Sequence, residues 1–371
     1  MWIQESFADS YARARVLFLE GAAAAGMQID THRHPQTGAM GEVLAMDVAR
    51  DGALDAERLL IVSSACHGVE GHCGSGVQVA ATRDAEWLTH ARQAGVAVLY
   101  IHALNPHGFS FSRRVTHENV DLNRNFHTFS GSLPSNPAYA ELHDLLLPAE
   151  WPPTEANRQA IAGWIQTHGL QRYQAAVSQG QYSHPDGLFF GGVAPTWSNQ
   201  TLRQVLRQHG QHARRIAWID LHTGLGPCGV GERIWAGTDD AQAIARARRW
   251  WDSSGTTPLT SIYDGSSTSA FLTGLMWSAI HDECPQAEYT GMALEYGTVP
   301  ILGIIEALRG DHWLHRQRLR GLPVADELTR SIRQQMRDAF YVNTPEWRAQ
   351  IVSQARQGLF QAISGLTDDR G

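Results

Sequence analysis

The stretch LLIVSSACHGVEGHCG, residues 59–74, sets His67 and Glu70 three positions apart, just after an apolar run. The run from Leu59 to Val62 reads as a buried strand, and the glycines after it as a turn at its C-terminal end. A neutral imidazole and a carboxylate there are either polar turn residues or two of the three protein ligands of a catalytic zinc site, which keeps a fourth position for water. Open α/β sheets collect ligands outside the carboxyl ends of their strands, and two more strand ends carry candidates. His222 follows IAWIDL, residues 216–221, and Glu295 lies within MALEYG, residues 292–297. Two histidines and one glutamate complete a hydrolytic zinc set. Glu295, flanked by Leu294, Tyr296 and Gly297, is either an ion-paired core residue or the carboxylate that takes a proton from water and hands it to a leaving group.

The loop NPHGFSFSRRVTHENVDLNRNF, residues 105–126, brings Arg113, Arg114 and Arg124 among Asp121, Asn123 and Asn125. A guanidinium can polarise a scissile carbonyl or fork onto a carboxylate in two parallel hydrogen bonds. A merely solvated basic loop would not need the interleaved acid and amides.

The elements that must position these groups follow from periodicity. Helices are expected over 8–25, 76–94, 136–147, 155–176, 197–209 and 239–251, and strands over 27–33, 41–48, 59–65, 96–104, 216–221, 232–236 and 292–297. The early strands, joined by short turns, predict antiparallel pairing, and the unit 59–104 predicts a parallel βαβ crossover. Residues 180–192, GQYSHPDGLFFGG, form a long loop of the kind that carries function. The remainder to about 362 is expected to be helical, forming an extra C-terminal segment from about 316 on a single domain spanning 1–371.

Composition narrows the function classes. With 43% hydrophobic residues the chain can bury a sizeable core, and its net charge of -7 argues against the basic surface that nucleic-acid binding needs. Cys66, Cys73, Cys228 and Cys284 form no CxxC pair and read as reduced thiols. The opening residues lack a basic start before an apolar run and are not expected to be a secretory signal. No apolar run reaches the ~18 residues of a membrane span. A cytoplasmic protein without membrane contact is the expectation.

HGVEG, NPHG, VDLNRNF, DLHTG and EYG, in this order, resemble the zinc carboxypeptidase family of carboxypeptidase A. The RRV before DLNRNF and the GQYSHPDGLFFGG segment resemble its uncharacterised bacterial branch. The resemblance covers roughly residues 40–315. It implies an α/β fold with a mixed, twisted, mostly parallel sheet between helices, and one zinc ion per chain held by His67, Glu70 and His222. It makes Asp121 the carboxylate that orients the first zinc histidine, and Glu295 the general base. Arg114, or adjacent Arg113, would polarise the substrate carbonyl. Asn123 and Arg124 would grip a terminal carboxylate, and Tyr263 in SIYDGSS matches the family's mobile tyrosine. His107 stands where the family has an acid, and neither it nor Cys66 nor His72 receives a role. The implied reaction is hydrolysis of a peptide, or of an N-acyl amino acid, next to a free carboxylate. A non-catalytic binding protein on the same fold would have lost a ligand or the base, and none is lost.

Overall fold

The computed structural model describes residues 3–252 and 257–368. Its centre is an eight-stranded sheet: β1 (Gln28–Thr37), β2 (Val43–Asp51), β3 (Arg58–Ser64), β4 (Ala97–His102), β5 (Arg215–Cys228), β6 (Gly231–Trp235), β7 (Leu259–Thr260) and β8 (Glu288–Gly297). They lie in the order β1-β2-β4-β3-β5-β8-β6-β7. β1 and β2, joined by a short turn, pair antiparallel as expected, but the third strand does not join them: β2 pairs antiparallel with β4, and β4, β3, β5 and β8 run parallel. The expected mixed α/β sheet flanked by helices is therefore present.

The sheet is buried on both faces because its central strands are apolar at successive positions. On β5, Ala217, Ile219 and Leu221 join one apolar cluster with Met292 and Leu294 of β8. Helices Tyr11–Ala24, Gly71–Arg83 and Pro345–Thr367 pack into that cluster. Ile216 and Trp218 face the other way, into a cluster with Ala293 and the helix Trp197–Gly210. On this second face the alternation continues into polar residues: after Ile216 and Trp218 come Asp220 and His222, both buried. A third cluster joins Phe189, Phe340 and the helix Ile301–Leu319. The last helix is thus part of the core, since Trp347, Ile351 and Leu359 pack onto the sheet.

Several expected elements differ in detail. The helix expected over 76–94 is two, Gly71–Arg83 and Ala85–Gln93, because the Asp84 carboxylate leaves the first and caps the second by accepting from the Trp87 amide. The helix expected over 155–176 breaks at Gly169, whose φ of 87° only glycine adopts freely. β5 runs well past the expected 216–221, and β7 was too short to leave a periodic signal. The loop 105–126 contains a short helix, Pro106–Ser110, capped by Asn105.

That helix positions the site. After β3 the chain turns sharply through Ala65, at a φ of 56°, into a single helical turn, Gly68–Glu70. The Gly68 and Val69 amides donate to the Arg114 and Arg113 carbonyls at 3.0 and 2.8 Å, stapling the HGVEG turn to the arginine loop. The two backbones meet at Gly68, where a Cβ would lie 2.0 Å from the carbonyl carbon of Gly108. Gly68→Ala is expected to force the loops apart and cost about 1–3 kcal/mol, the usual scale of overpacking. Chemical denaturation measures this, and an unchanged midpoint would mean that the two loops are not locked together.

Candidate active site

Three neighbouring strands deliver the polar groups. In the parallel register, His222 of β5 is the partner of Glu295 of β8, and Asp220 is the partner of Ser63 on β3. His67 and Glu70 enter from the turn after β3. Glu70 lies between the two imidazoles, its Oε1 at 2.8 Å from His67 Nδ1 and its Oε2 at 3.0 Å from His222 Nδ1. The Thr223 amide also donates to Oε2 at 3.2 Å. All three side chains are buried, and their ligand atoms lie within 4.8 Å of one another.

The far side of each imidazole meets another carboxylate. His222 Nε2 contacts Asp220 Oδ2, while Asp220 Oδ1 accepts from the Ser63 hydroxyl at 2.5 Å. Trp218 Nε1 donates to that same hydroxyl at 2.7 Å. His67 Nε2 lies 3.3 Å from Asp121 Oδ1. With its proton on Nε2, the His222 ring turns an Nδ1 lone pair toward Glu70; His67 Nε2 instead faces the Arg114 Nη2 donor at 2.7 Å and accepts from it. Asp220 had no role in the sequence reading. Its signal was the spacing DLH, since residues two apart on a strand share a face.

The electrostatics follow from burial among charges. Burial alone would raise the Glu70 carboxyl, but His67 and His222 overcome it and hold Glu70 well below the carboxylate range. Burial would lower His222, yet Asp220 and Glu70 push it well above the usual histidine value. Asp121 is likewise held low against burial by Arg114, Arg124 and His67. Glu295 is the exception. Burial and the nearby Glu70 charge push it up to about 7, with only the Leu225 amide donating to it, at 2.9 Å.

The arginines separate. Arg113 points away from the cavity and pairs with Asp311 at 2.8 Å, which removes it as a substrate-binding candidate. Arg114 stays at the centre, donating to Asp121 at 2.9 Å and Glu70 at 3.2 Å, with Nη2 at 2.7 Å from His67 Nε2. Arg124 and Asn123 line the same cavity as His67, Glu70, His222 and Glu295. Three of the five Arg124 N–H groups go to the Ser178 and Asn123 carbonyls, which leaves two for a ligand. Tyr263 does not line the cavity. Its hydroxyl donates to the Gly237 carbonyl at 2.8 Å, so the structure does not bring it to the site. Phe189, which the sequence reading passed over within its long loop, has a left-handed φ of 51°. Its ring lies under both cavity arginines, 5.0 Å from the Arg114 guanidinium and 5.7 Å from that of Arg124.

His107 and His72 sit outside this machinery, whereas the Cys66 sulfur lies within 4.8 Å of the ligand atoms of Asp220 and His222. His107 stacks on Phe111 with ring centroids 4.4 Å apart. His72 packs edge-on to Phe109. Cys66 is fully buried, and burial raises its thiol pKa well above the usual value.

The donor set fits a zinc ion. Two imidazoles and one carboxylate converge, and each imidazole is backed by a second carboxylate. Three buried carboxylates, Glu70, Asp121 and Asp220, and half-buried Glu295 also outnumber the two nearby guanidiniums of Arg114 and Arg124, an imbalance a divalent cation would offset.

The family model described as a protein of unknown function (DUF2817) matches residues 7–354. The chain belongs to this family. Among solved structures, thrombin activatable fibrinolysis inhibitor superposes with a TM-score of 0.53 at 10% identity, covering 97% of this chain and 77% of that one. A metallo-carboxypeptidase from Burkholderia cenocepacia gives 0.38 at 11% identity, covering 91% and 67%. A succinylglutamate desuccinylase/aspartoacylase from Rhodobacter sphaeroides gives 0.34 at 12%, covering 81% and 66%. No curated protein matches the chain. The chain thus shares the fold of thrombin activatable fibrinolysis inhibitor.

Asp220→Asn keeps the shape of the residue but removes the charge behind His222. It is expected to weaken zinc binding roughly 10–100-fold, the usual effect of losing such a supporting partner. A competitive chelator titration measures this, with circular dichroism as the check on folding. Unchanged affinity would mean that Asp220 does not support the metal.

Proposed function

We propose that this protein is a zinc-dependent hydrolase of carboxypeptidase type, cleaving a peptide or peptide-like amide next to a free carboxylate. The observation that carries the reading is the pairing of His222 with Glu295 in register, inside the cavity that also holds Glu70, His67 and Arg124. His67, Glu70 and His222 would hold one zinc ion, which supplies a Lewis acid and an acidified water when bound. Glu295 is suited to the general base. Burial and the Glu70 charge poise its carboxyl near neutrality, so it can take a proton from water and return it to the departing amine. Asp220 and Asp121 keep the imidazoles oriented.

The two cavity arginines take separate tasks. Arg124 keeps two free N–H groups, and the Asn123 carbonyl oxygen is fixed by the Met276 amide at 2.8 Å, which turns its NH2 group away from that bond. Together they suit a terminal carboxylate, whose two oxygens match a guanidinium fork. Arg114 bridges Asp121 and Glu70, so it serves the scissile carbonyl only from that anchored position. Phe189 supports both guanidiniums from one side.

A second reading, an N-acyl amino-acid deacylase, draws on the cavity walls. Ile301, Ile304, Ile305, Leu308 and Phe340 line one side of the cavity and Ile234, Ile262, Leu272 and Trp277 another. Apolar walls on several sides favour a small amide with apolar groups flanking the scissile bond. A panel of dipeptides against N-acyl amino acids separates the two readings.

Protein purified without chelator is expected to carry about one zinc per chain, and metal-free protein to lose hydrolysis. Glu295→Gln should keep the metal and slow hydrolysis at least ~100-fold. A near-normal rate would assign the base elsewhere. Wild type should strongly prefer a free acid over its C-terminal amide, and Arg124→Ala should lose most of that preference. Equal hydrolysis of acid and amide by wild type would overturn the carboxypeptidase reading.

A further inference from the structure

Arg113 turns away from the active site into a second, small cleft between its loop and the helices Ile301–Leu319 and Asp326–Phe340. Asp311, His315 and Arg318 line it from the first helix, at spacings of four and three that put them on one face. Arg333 lines it from the second helix. The cleft therefore gathers three guanidiniums and an imidazole around one carboxylate, on a chain whose net charge is -7.

The positive charges are poorly matched. Asp311 is used by Arg113, which also donates to Asn119 at 3.0 Å. Among the described residues, the Arg318 and Arg333 guanidiniums make no hydrogen bond or ion pair. Burial and the Arg318 charge lower the Arg333 pKa, with a smaller contribution from Arg113 and only Asp311 acting the other way. An arginine held by an acid shows the reverse. Burial and the same two arginines push His315 down to about 3, which leaves it a neutral imidazole. Half-buried Arg333 thus lies beside buried Arg113 and exposed Arg318, a cluster of like charge that an anion would offset.

We propose that this cleft binds a phosphate-class dianion. The donors arrive from a loop and two helices, so they approach from different directions. That suits the oxygens of a tetrahedral phosphate better than the single plane of a carboxylate. Arg318, Arg333 and the outer N–H groups of Arg113 supply charge-assisted hydrogen bonds, and His315 adds a neutral donor. The cleft is too small for a nucleotide, so the ligand is free phosphate or the phosphate group of a small monoester.

The test is calorimetry on metal-loaded protein with inorganic phosphate, against chloride at matched ionic strength. One saturable site with phosphate and none with chloride is expected. Arg318→Ala and Arg333→Ala should each weaken binding at least tenfold, while Arg124→Ala, which alters the catalytic cavity, should leave it unchanged. Should Arg333→Ala fail to fold, Arg318→Glu at an exposed position gives the same reading. Glycerol phosphate separates the sources: comparable affinity assigns the cleft to phosphate monoesters, and much weaker affinity to free phosphate. No saturable binding overturns the proposal. So does binding that survives Arg318→Ala and disappears in Arg124→Ala, which would place the phosphate in the catalytic cavity.

Discussion

A single run of buried polar contacts crosses the centre of this protein, and most of the fold serves to hold it. It starts at the Trp218 indole and passes through Ser63, Asp220, His222, Glu70 and His67 to Asp121 and Arg114. Every member but Arg114 is almost fully buried. Charges so placed are tolerable only as a connected set, since removing one partner of a buried pair typically costs about 3–5 kcal/mol. The run is therefore a constraint on the fold as well as a site. Strands β3 and β5, the HGVEG turn and the arginine loop must meet within hydrogen-bond distance, or several uncompensated charges remain.

Two features meet that constraint. The parallel register of β3, β5 and β8 aligns Ser63 with Asp220 and His222 with Glu295, so side chains far apart in sequence share one face. The approach of Gly68 to the Gly108 backbone lets the turn after β3 touch the loop after β4. Within this frame Glu295 stands apart. It shares the cavity but has no ionic partner among the described residues, and burial with the Glu70 charge raises its proton affinity on balance. One buried pocket thus keeps Glu70 ionised and Glu295 ready to accept a proton, a contrast typical of acid–base sites.

Arg113 and Arg114 are adjacent in the loop, yet their side chains part. Arg114 joins the polar run, while Arg113 crosses to Asp311 on another helix. The loop therefore ties this cavity to the helical C-terminal part of the chain. The Arg113 carbonyl accepts from Val69 beside Glu70, so its backbone serves one site and its side chain the other.

The sequence by itself determined much of this. Apolar runs ending in chemistry, at Val62, Leu221 and Leu294, located the strand ends, and HGVEG, DLHTG and EYG named the residues that meet there. The early antiparallel strands and the following βαβ unit were legible because periodicity and turn residues are local signals. What lay beyond reach was anything set by distance in space. Local pattern could not say which of Arg113 and Arg114 turns inward, that Tyr263 is tied to Gly237 outside the cavity, or that Phe189 lies beneath two arginines. Asp220 was half legible: the two-residue strand period put it beside His222, but only pairing with β3 supplied the Ser63 hydroxyl that occupies its other oxygen. Helix breaks at Asp84 and Gly169 were missed because each side of the break keeps a helical period, and only capping or a positive φ ends the turn. Residue types and strand ends are written locally. Register, the inward or outward turn of a loop side chain, and the balance of buried charge come from packing, and tertiary structure decided them.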